Sequence, residues 1–497
     1  MALLLLLLAA QAGAGILNAP SFVWNEVRLA RSVALLHGFS LYLDKDATGP
    51  VIGTLHTPVS HWIYLTVAGL HNPTDALLAG SLLSLLLVFV PLGWVLFRAA
   101  DGARDRLLTA TAAFLFCGFL ILQAPGTFHI ACMIHTDAAA LAFTTLACGV
   151  FCNPRKPIAA PQVWLAGVGC VLAVGSKQTM APIALAIALY LAVTAGAKLL
   201  GHFVAALLIS GAVLVGTILA IVPARAFLFN TITLAAHRPL KDGYLDLLVT
   251  SYRAGKLDAL PALFPLLLLI GWQVFGAEHR PGLREFARTN PWLVFALAAA
   301  TLLPGTAKAI VTVGADVNHL GMVLYLLFVA AGLAIEQCVA ERDSSFLGGA
   351  AWMCAALGVL VGLAPGMLLS LPARLRDVRR NAPEAALRYA QRHPGRAYFP
   401  CNPMVSLLTS GKAYHVDFSV DDRESAGYPL TSHQYQASLP PGFTVVAIPP
   451  GEPVRSRALR EALQHSEPGA DPELPGWTVY RIAPALQNPH GSPRTLL

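Results

Sequence analysis

Long apolar runs separated by short polar stretches dominate the first 370 residues of this chain. A run of roughly 20 such residues crosses the hydrocarbon of a bilayer as a helix. In lipid every backbone polar group must be satisfied internally, so a spanning segment is a helix or part of a closed barrel. The runs do not alternate with period two, which argues against the barrel. Of 497 residues, 56% are hydrophobic and 12% charged, about half the charged share of a soluble domain. The fold class is therefore a polytopic α-helical membrane protein. About eleven transmembrane helices are expected, near 2–20, 76–97, 107–124, 138–153, 161–175, 180–197, 203–223, 259–276, 291–305, 319–336 and 347–370. Several are short for a full crossing and imply tilt or local thinning. Met1 to Pro20 lacks a basic n-region, and Ala10 to Gly15 only loosely resembles a cleavage site, so an uncleaved first span is expected.

The basic residues set the orientation. Arg98, Arg104 and Arg106, then Arg155 and Lys156, Lys198, Arg280, Arg284, Arg288 and Arg342 fall in one set of loops, which the positive-inside rule makes cytoplasmic. The opposite set holds a long first loop (21–75), Asp137, Lys177 and the loops 224–258 and 306–318. The net charge of +7 thus reflects topology and does not indicate nucleic-acid binding. Beyond about residue 370 the chain turns polar. Short strand-like runs at 397–399, 443–448 and 477–482 and a helical run near 383–393 suggest a soluble α/β domain over 371–497 on the outer side, attached to a transmembrane domain over 1–370. The 8 Cys residues are scattered, several of them (Cys117, Cys148, Cys170, Cys338, Cys354) in or near apolar spans. No pair has CxxC spacing, and they read as small buried hydrophobes.

Two carboxylates stand out where apolar segments give way to polar turns. Glu26 lies in Trp24-Asn25-Glu26-Val27-Arg28 and Asp137 in Ile134-His135-Thr136-Asp137-Ala138. Each follows a capping residue, Asn25 or Thr136, so each is expected to open a helix and stay ionised at its positive end. Ionisable groups in such a chain usually mark a working site. Residues 26–37 have an amphipathic pattern that suits a helix lying along the membrane surface. Lys177 interrupts a stretch otherwise apolar from 163 to 197.

The order of features in the first loop is acidic residue, short helix, Gly38-x-x-Leu41-Tyr42-x-Asp44, then Pro58 and aromatics. It resembles the GT-C glycosyltransferases, and within them the bacterial proteins similar to protein mannosyltransferases and aminoarabinose transferases. His135-Thr136-Asp137, Ser176-Lys177-Gln178-Thr179 and Asp316-Val317-Asn318-His319 extend the likeness, which covers nearly the whole chain. The chain departs in having Glu26 where many relatives have Asp and a lone Pro58 where a Pro-Pro pair is usual.

The resemblance implies an inner-membrane enzyme of bacteria. It would move a sugar from a polyprenyl-phosphate donor to a lipid, glycan or protein acceptor on the outer face, usually with inversion. On that reading Glu26 is the base, and Asp137 orients the acceptor, stabilises the donor sugar or binds a metal. Lys177 receives the lipid phosphate, with Arg225, Arg238 and Lys308 as weaker candidates and Asn318 and His319 lining the site. Asp137 with His129 and His135 permits a divalent metal without requiring one, and no cofactor is assigned.

Each residue also has a plainer role. Glu26 would start its helix or pair with Arg28, Asp137 would be a helix-start charge, Lys177 would snorkel to headgroups, and Asn318 and His319 would cap. A transporter or flippase of a lipid-linked or small polar solute is the alternative from another class. It would place ionisable groups at mid-membrane in repeated halves, whereas here they sit at span ends without a visible repeat. A polymerase or ligase of lipid-linked glycans shares donor and topology, and a scaffold would leave the first loop unexplained.

Overall fold

The computed structural model describes residues 1–101, 106–153, 157–275, 282–314, 318–340, 364–375 and 381–482. Among these, 6 helices are long and apolar enough to cross a membrane: Ala2–Ser21, Pro73–Ala99, Arg106–Gln123, Ala197–Ile221, Trp292–Ile310 and Asn318–Gln337. Two bent pairs raise the number to 8, with breaks of 95° between Pro125–Cys132 and Thr136–Gly149 and of 47° between Tyr244–Arg253 and Asp258–Gly271. Ala160–Ser176 and Gln178–Thr194 are apolar but shorter; at 1.5 Å per residue, 17 residues reach only about 25 Å. The expected span at 138–153 is the second limb of a broken one, and most of 347–370 lies outside the described residues.

The first helix, α1 (Ala2–Leu17), belongs to the bundle. Gln11 is buried in it and donates to the Met367 carbonyl, and Asn18 donates to Arg374 O at 2.6 Å. The chain then forms α2 (Val23–Leu36), α3 (Val59–Ala68), α4 (Pro73–Ala99), α5 (Arg106–Gln123), α6 (Pro125–Cys132), α7 (Thr136–Gly149) and α8 (Ala160–Ser176). The central late helix, Asn318–Ala340, packs on α5 and α6. A Cβ at Gly321 would lie 2.5 Å from the Gly126 carbonyl carbon, so only glycine lets this helix approach the start of α6 so closely.

Two expectations about the first loop need correction. The amphipathic helix does not lie free on a membrane surface. In α2, Asn25, Glu26, Val27, Leu29, Ala30, Arg31, Ser32, Val33 and Ala34 are all buried, because the tail covers the face that the bundle leaves open. Nor do Asn25 and Thr136 act as caps. Phe22 is the N-cap of α2, and His135 caps α7 by accepting the Asp137 N–H on Nδ1 at 3.2 Å.

Residues 381–482 carry a four-stranded sheet of order β1-β2-β4-β3, with β1 (Ala397–Tyr398), β2 (Val445–Ile448), β3 (Pro468–Asp471) and β4 (Leu474–Arg481). Strand β1 runs parallel to β2, and the remaining pairs are antiparallel. Helix Ala382–Arg392 packs its apolar side, Ala386 and Tyr389, against Phe399, Val445 and Trp477. A second core joins Val27, Leu29, Val33, Leu41 and Ile52 of the first loop to Met404, Leu407, Phe418 and Val446 of the tail. Backbone bonds seal the same seam, with Val416 N donating to Val51 O at 3.0 Å.

Candidate active site

The break between α6 and α7 frees backbone groups that lipid could not satisfy, and such backbone is tolerated only where protein covers it. Side chains from the first loop supply the partners. Asn25 Oδ1 accepts the Ile134 N–H at 2.9 Å, and Arg28 Nη1 donates to Ile134 O at 3.1 Å. The Tyr64 hydroxyl donates to His135 O at 3.1 Å. The bend thus presents Asp137 at a fixed place.

Asp137 is wholly buried, and Lys177 Nζ lies 2.5 Å from its Oδ1. Asn318 Nδ2 donates to Oδ2 at 3.0 Å. His135 Nδ1 lies 3.2 Å from the Asp137 amide nitrogen and 3.3 Å from Asp137 Oδ1. Lys177 sits at the turn after α8, and Gln178 beside it donates to Leu55 O at 2.6 Å and Thr231 O at 3.2 Å. That amide ties the turn to the first loop and to the segment after residue 224.

Arg31 is the most unusual group. It is 7% exposed, its Nε has no hydrogen-bond partner, and no carboxylate lies within ion-pair contact among the described residues. Its charge acts on His56, His61 and Asp422. Burial, then the Arg31 charge, pushes the His61 imidazole down to about 3. Burial followed by Lys177 and Arg31 holds His56 far below its usual value. Both histidines are neutral at pH 7 and surrounded by positive potential. Asp422 of the tail pairs with Arg238 in direct contact, and burial raises its carboxyl against the pull of Arg238 and Arg31.

These groups form one field. Among the described residues Arg28, Arg31, Lys177 and Arg238 bring cations here, and Asp137 and Asp422 carboxylates. The half-buried His319 is reached by the charges of Lys177, Asp137 and Arg238, which joins the two halves. Arginine forks fit the geometry of phosphate oxygens.

No protein-family model and no curated protein matches the sequence. Among solved structures, ArnT from Cupriavidus metallidurans bound to undecaprenyl phosphate matches at a TM-score of 0.58 and 13% identity, over 98% of this chain and 99% of that one. The same protein in the apo state gives 0.55 and 14% over 93% and 94%. The chain has the GT-C fold.

Within this GT-C fold the residues singled out from sequence separate into two groups. Asp137, Lys177, Asn318, His319 and Arg238 converge. Arg225 is 70% exposed and pairs with Asp44 and Asp46 at the rim, and Lys308 is exposed on its helix. Asp316 lies outside the described residues. Glu26 faces elsewhere: it is fully buried, accepting from Asn402 Nδ2 at 2.6 Å and from the Met404 N–H at 3.1 Å. Burial pushes its carboxyl up to about 8 against the pull of those two donors, contrary to the expectation of an ionised helix-start charge.

Sequence reasoning did not single out Arg28 or Arg31 among the candidate site residues. Their spacing from Asn25, i+3 and i+6, places all three on one helix face. Glu26 shares its face with Leu29, Ala30 and Val33 and turns with them to the tail. A metal suits the site poorly, since the oxygens of Asp137 already face an ammonium and an amide. Among the described residues no group of three His, Cys, Asp or Glu side chains is disposed to hold one.

Proposed function

We propose that this protein is an integral-membrane glycosyltransferase that moves a sugar from a polyprenyl-phosphate donor to an acceptor on the outer face of a bacterial cytoplasmic membrane. The observation that carries the reading is the grouping of Lys177 and Arg31 about the buried Asp137, with no carboxylate at contact distance from Arg31 among the described residues. A lipid phosphate supplies the missing negative charge. The likeness in fold to a protein solved with undecaprenyl phosphate supports the same class of donor.

In this reading the acceptor hydroxyl attacks the anomeric carbon on the side opposite the phosphate. The new C–O bond forms as the bond to phosphate oxygen breaks, and the electron pair leaves with the polyprenyl phosphate. Arg28, Arg31 and Lys177 stabilise that developing charge in a water-poor site, where preorganised charge acts most strongly. The hydroxyl proton needs a carboxylate within reach. Asp137 is the carboxylate inside the cation field, so the role of base moves to it from Glu26. As Lys177 turns to the donor phosphate, Asp137 loses its counter-ion and becomes a better proton acceptor.

The test is transfer from a panel of radiolabelled polyprenyl-phosphate sugars by the protein in lipid, wild type beside Asp137→Asn and Arg31→Ala. Consumption of a donor that both variants lose supports the assignment. A folded wild-type protein that neither binds nor consumes any donor sinks it.

A further inference from the structure

A cavity of about 220 Å³ opens in the tail between residues 390–415 and 440–441. The transfer chemistry above does not use it. Its wall holds the buried Tyr398 and Phe399, the half-buried ring of Tyr414, the hydroxyls of Ser406 and Thr409, and the ammonium of Lys412. The floor is fixed. The Tyr398 hydroxyl donates to His415 O at 2.5 Å, and the two His415 ring nitrogens meet the Val51 N–H and Tyr435 O, both at 3.0 Å.

The free valences are specific. Ser406 and Thr409 donate to Pro403 O and Val405 O, which leaves their oxygens as acceptors toward the cavity. Lys412 is exposed and makes no ion pair among the described residues, so its three donors are open. The half-buried Tyr414 ring, flanked by acceptors and one cationic donor, matches a molecule with C–H faces and hydroxyl edges. The volume falls below the roughly 300–1,000 Å³ of sites for drug-sized ligands and suits one or two sugar rings.

We propose that this cavity is a saccharide subsite holding a non-reacting unit of the acceptor, a proposal that rests on the glycosyl-transfer reading. Its position in the fold supports the role. Pro403 and Val405 border the cavity while the intervening Met404 N–H is held by Glu26, and His415 beneath it is held by Val51. Both anchors belong to the first loop, which also carries Arg31. A sugar seated here is therefore held at a set distance from the transfer site, and binding energy from a remote unit is turned into orientation of the reacting one.

Saturation-transfer NMR on the full chain in lipid nanodiscs tests this, with methyl glycosides of glucose, N-acetylglucosamine and glucuronic acid as probes. At least one glycoside should bind with Kd on the order of 1 mM, and Thr409→Trp and Tyr414→Ala should each weaken it at least about tenfold. Thr409 is exposed, so its tryptophan fills the mouth without entering a core. Undecaprenyl-phosphate binding, measured in parallel, should be unchanged in both variants. Absence of glycoside signal from the wild type, or undiminished wild-type binding in both variants, overturns the subsite. Glycoside binding by a wild type that ignores undecaprenyl phosphate overturns the acceptor assignment and separates that failure from failure of the cavity itself.

Discussion

Asp137 and Lys177, forty residues apart in sequence, meet as an ion pair of 2.5 Å with 0% and 1% of their side chains exposed. Such a pair is expensive to desolvate, and losing one partner strands the other. Asp137→Asn should therefore abolish transfer and also destabilise the fold by about 3–5 kcal/mol. The double variant Asp137→Asn with Lys177→Met should recover most of the stability and none of the activity. Thermal unfolding in detergent beside donor turnover separates the two effects. A double variant as unstable as the single ones would show that the pair is not the source of the loss.

Arg31 gives the opposite sign on stability. A buried guanidinium without a contact counter-ion costs free energy, so Arg31→Met should raise the melting temperature while weakening donor use at least about tenfold, a trade of stability for activity. A variant that melts lower with an unchanged KM for donor would remove Arg31 from the phosphate site.

Glu26→Gln should keep donor binding and measurable transfer, because the carboxylate faces Asn402 and Met404 and not the cation field. One of its two acceptors is lost, which should loosen the tail by about 1–3 kcal/mol. Faster proteolysis near residue 395 would register that loosening. Complete loss of turnover in an intact, well-folded Glu26→Gln protein would return the base to Glu26.

The same carboxyl sets a pH dependence. Its value in the fold is raised from 4.5 to about 8, so its contribution to tail docking is full below pH 4.5 and is lost as pH rises through 8. Protease resistance of the tail should fall between those limits in the wild type, and the Glu26→Gln variant should lack that component. Parallel curves for the two proteins would contradict the assignment.

Gly321→Val should push the late central helix away from Gly126, with overpacking of about 1–3 kcal/mol. Asn318 sits one turn before Gly321 and bonds Asp137, so transfer should drop more than stability implies. Retention of full activity would mean that the Asn318 contact is dispensable.

The apolar runs made the membrane class legible, because burial in lipid leaves a compositional mark that needs no tertiary information. The meeting of Asp137 with Lys177 was foreshadowed by their placement at span ends on one face. The broken and shortened spans were harder to see. A run such as 138–153 reads as one helix, while the 95° break before it is stabilised by Asn25, Arg28 and Tyr64 from a distant loop. Glu26 shows a related effect. Its motif position suggested chemistry, while its helix face, shared with Leu29 and Val33, pointed to a partner nearly four hundred residues away. Arg31 is a charge in the sequence, and only the structure shows its burial.

The shared core of the first loop and the tail has a consequence for how the molecule is made. Val27, Leu29 and Val33 leave the ribosome early, yet the side chains that enclose them, Met404, Phe418 and Val446, are among the last to be synthesised. Until then α2 has one face bare while most of the spans are already being inserted. Closure of this seam is thus postponed to the end of translation, and a nascent chain stalled before residue 400 holds its first loop uncovered.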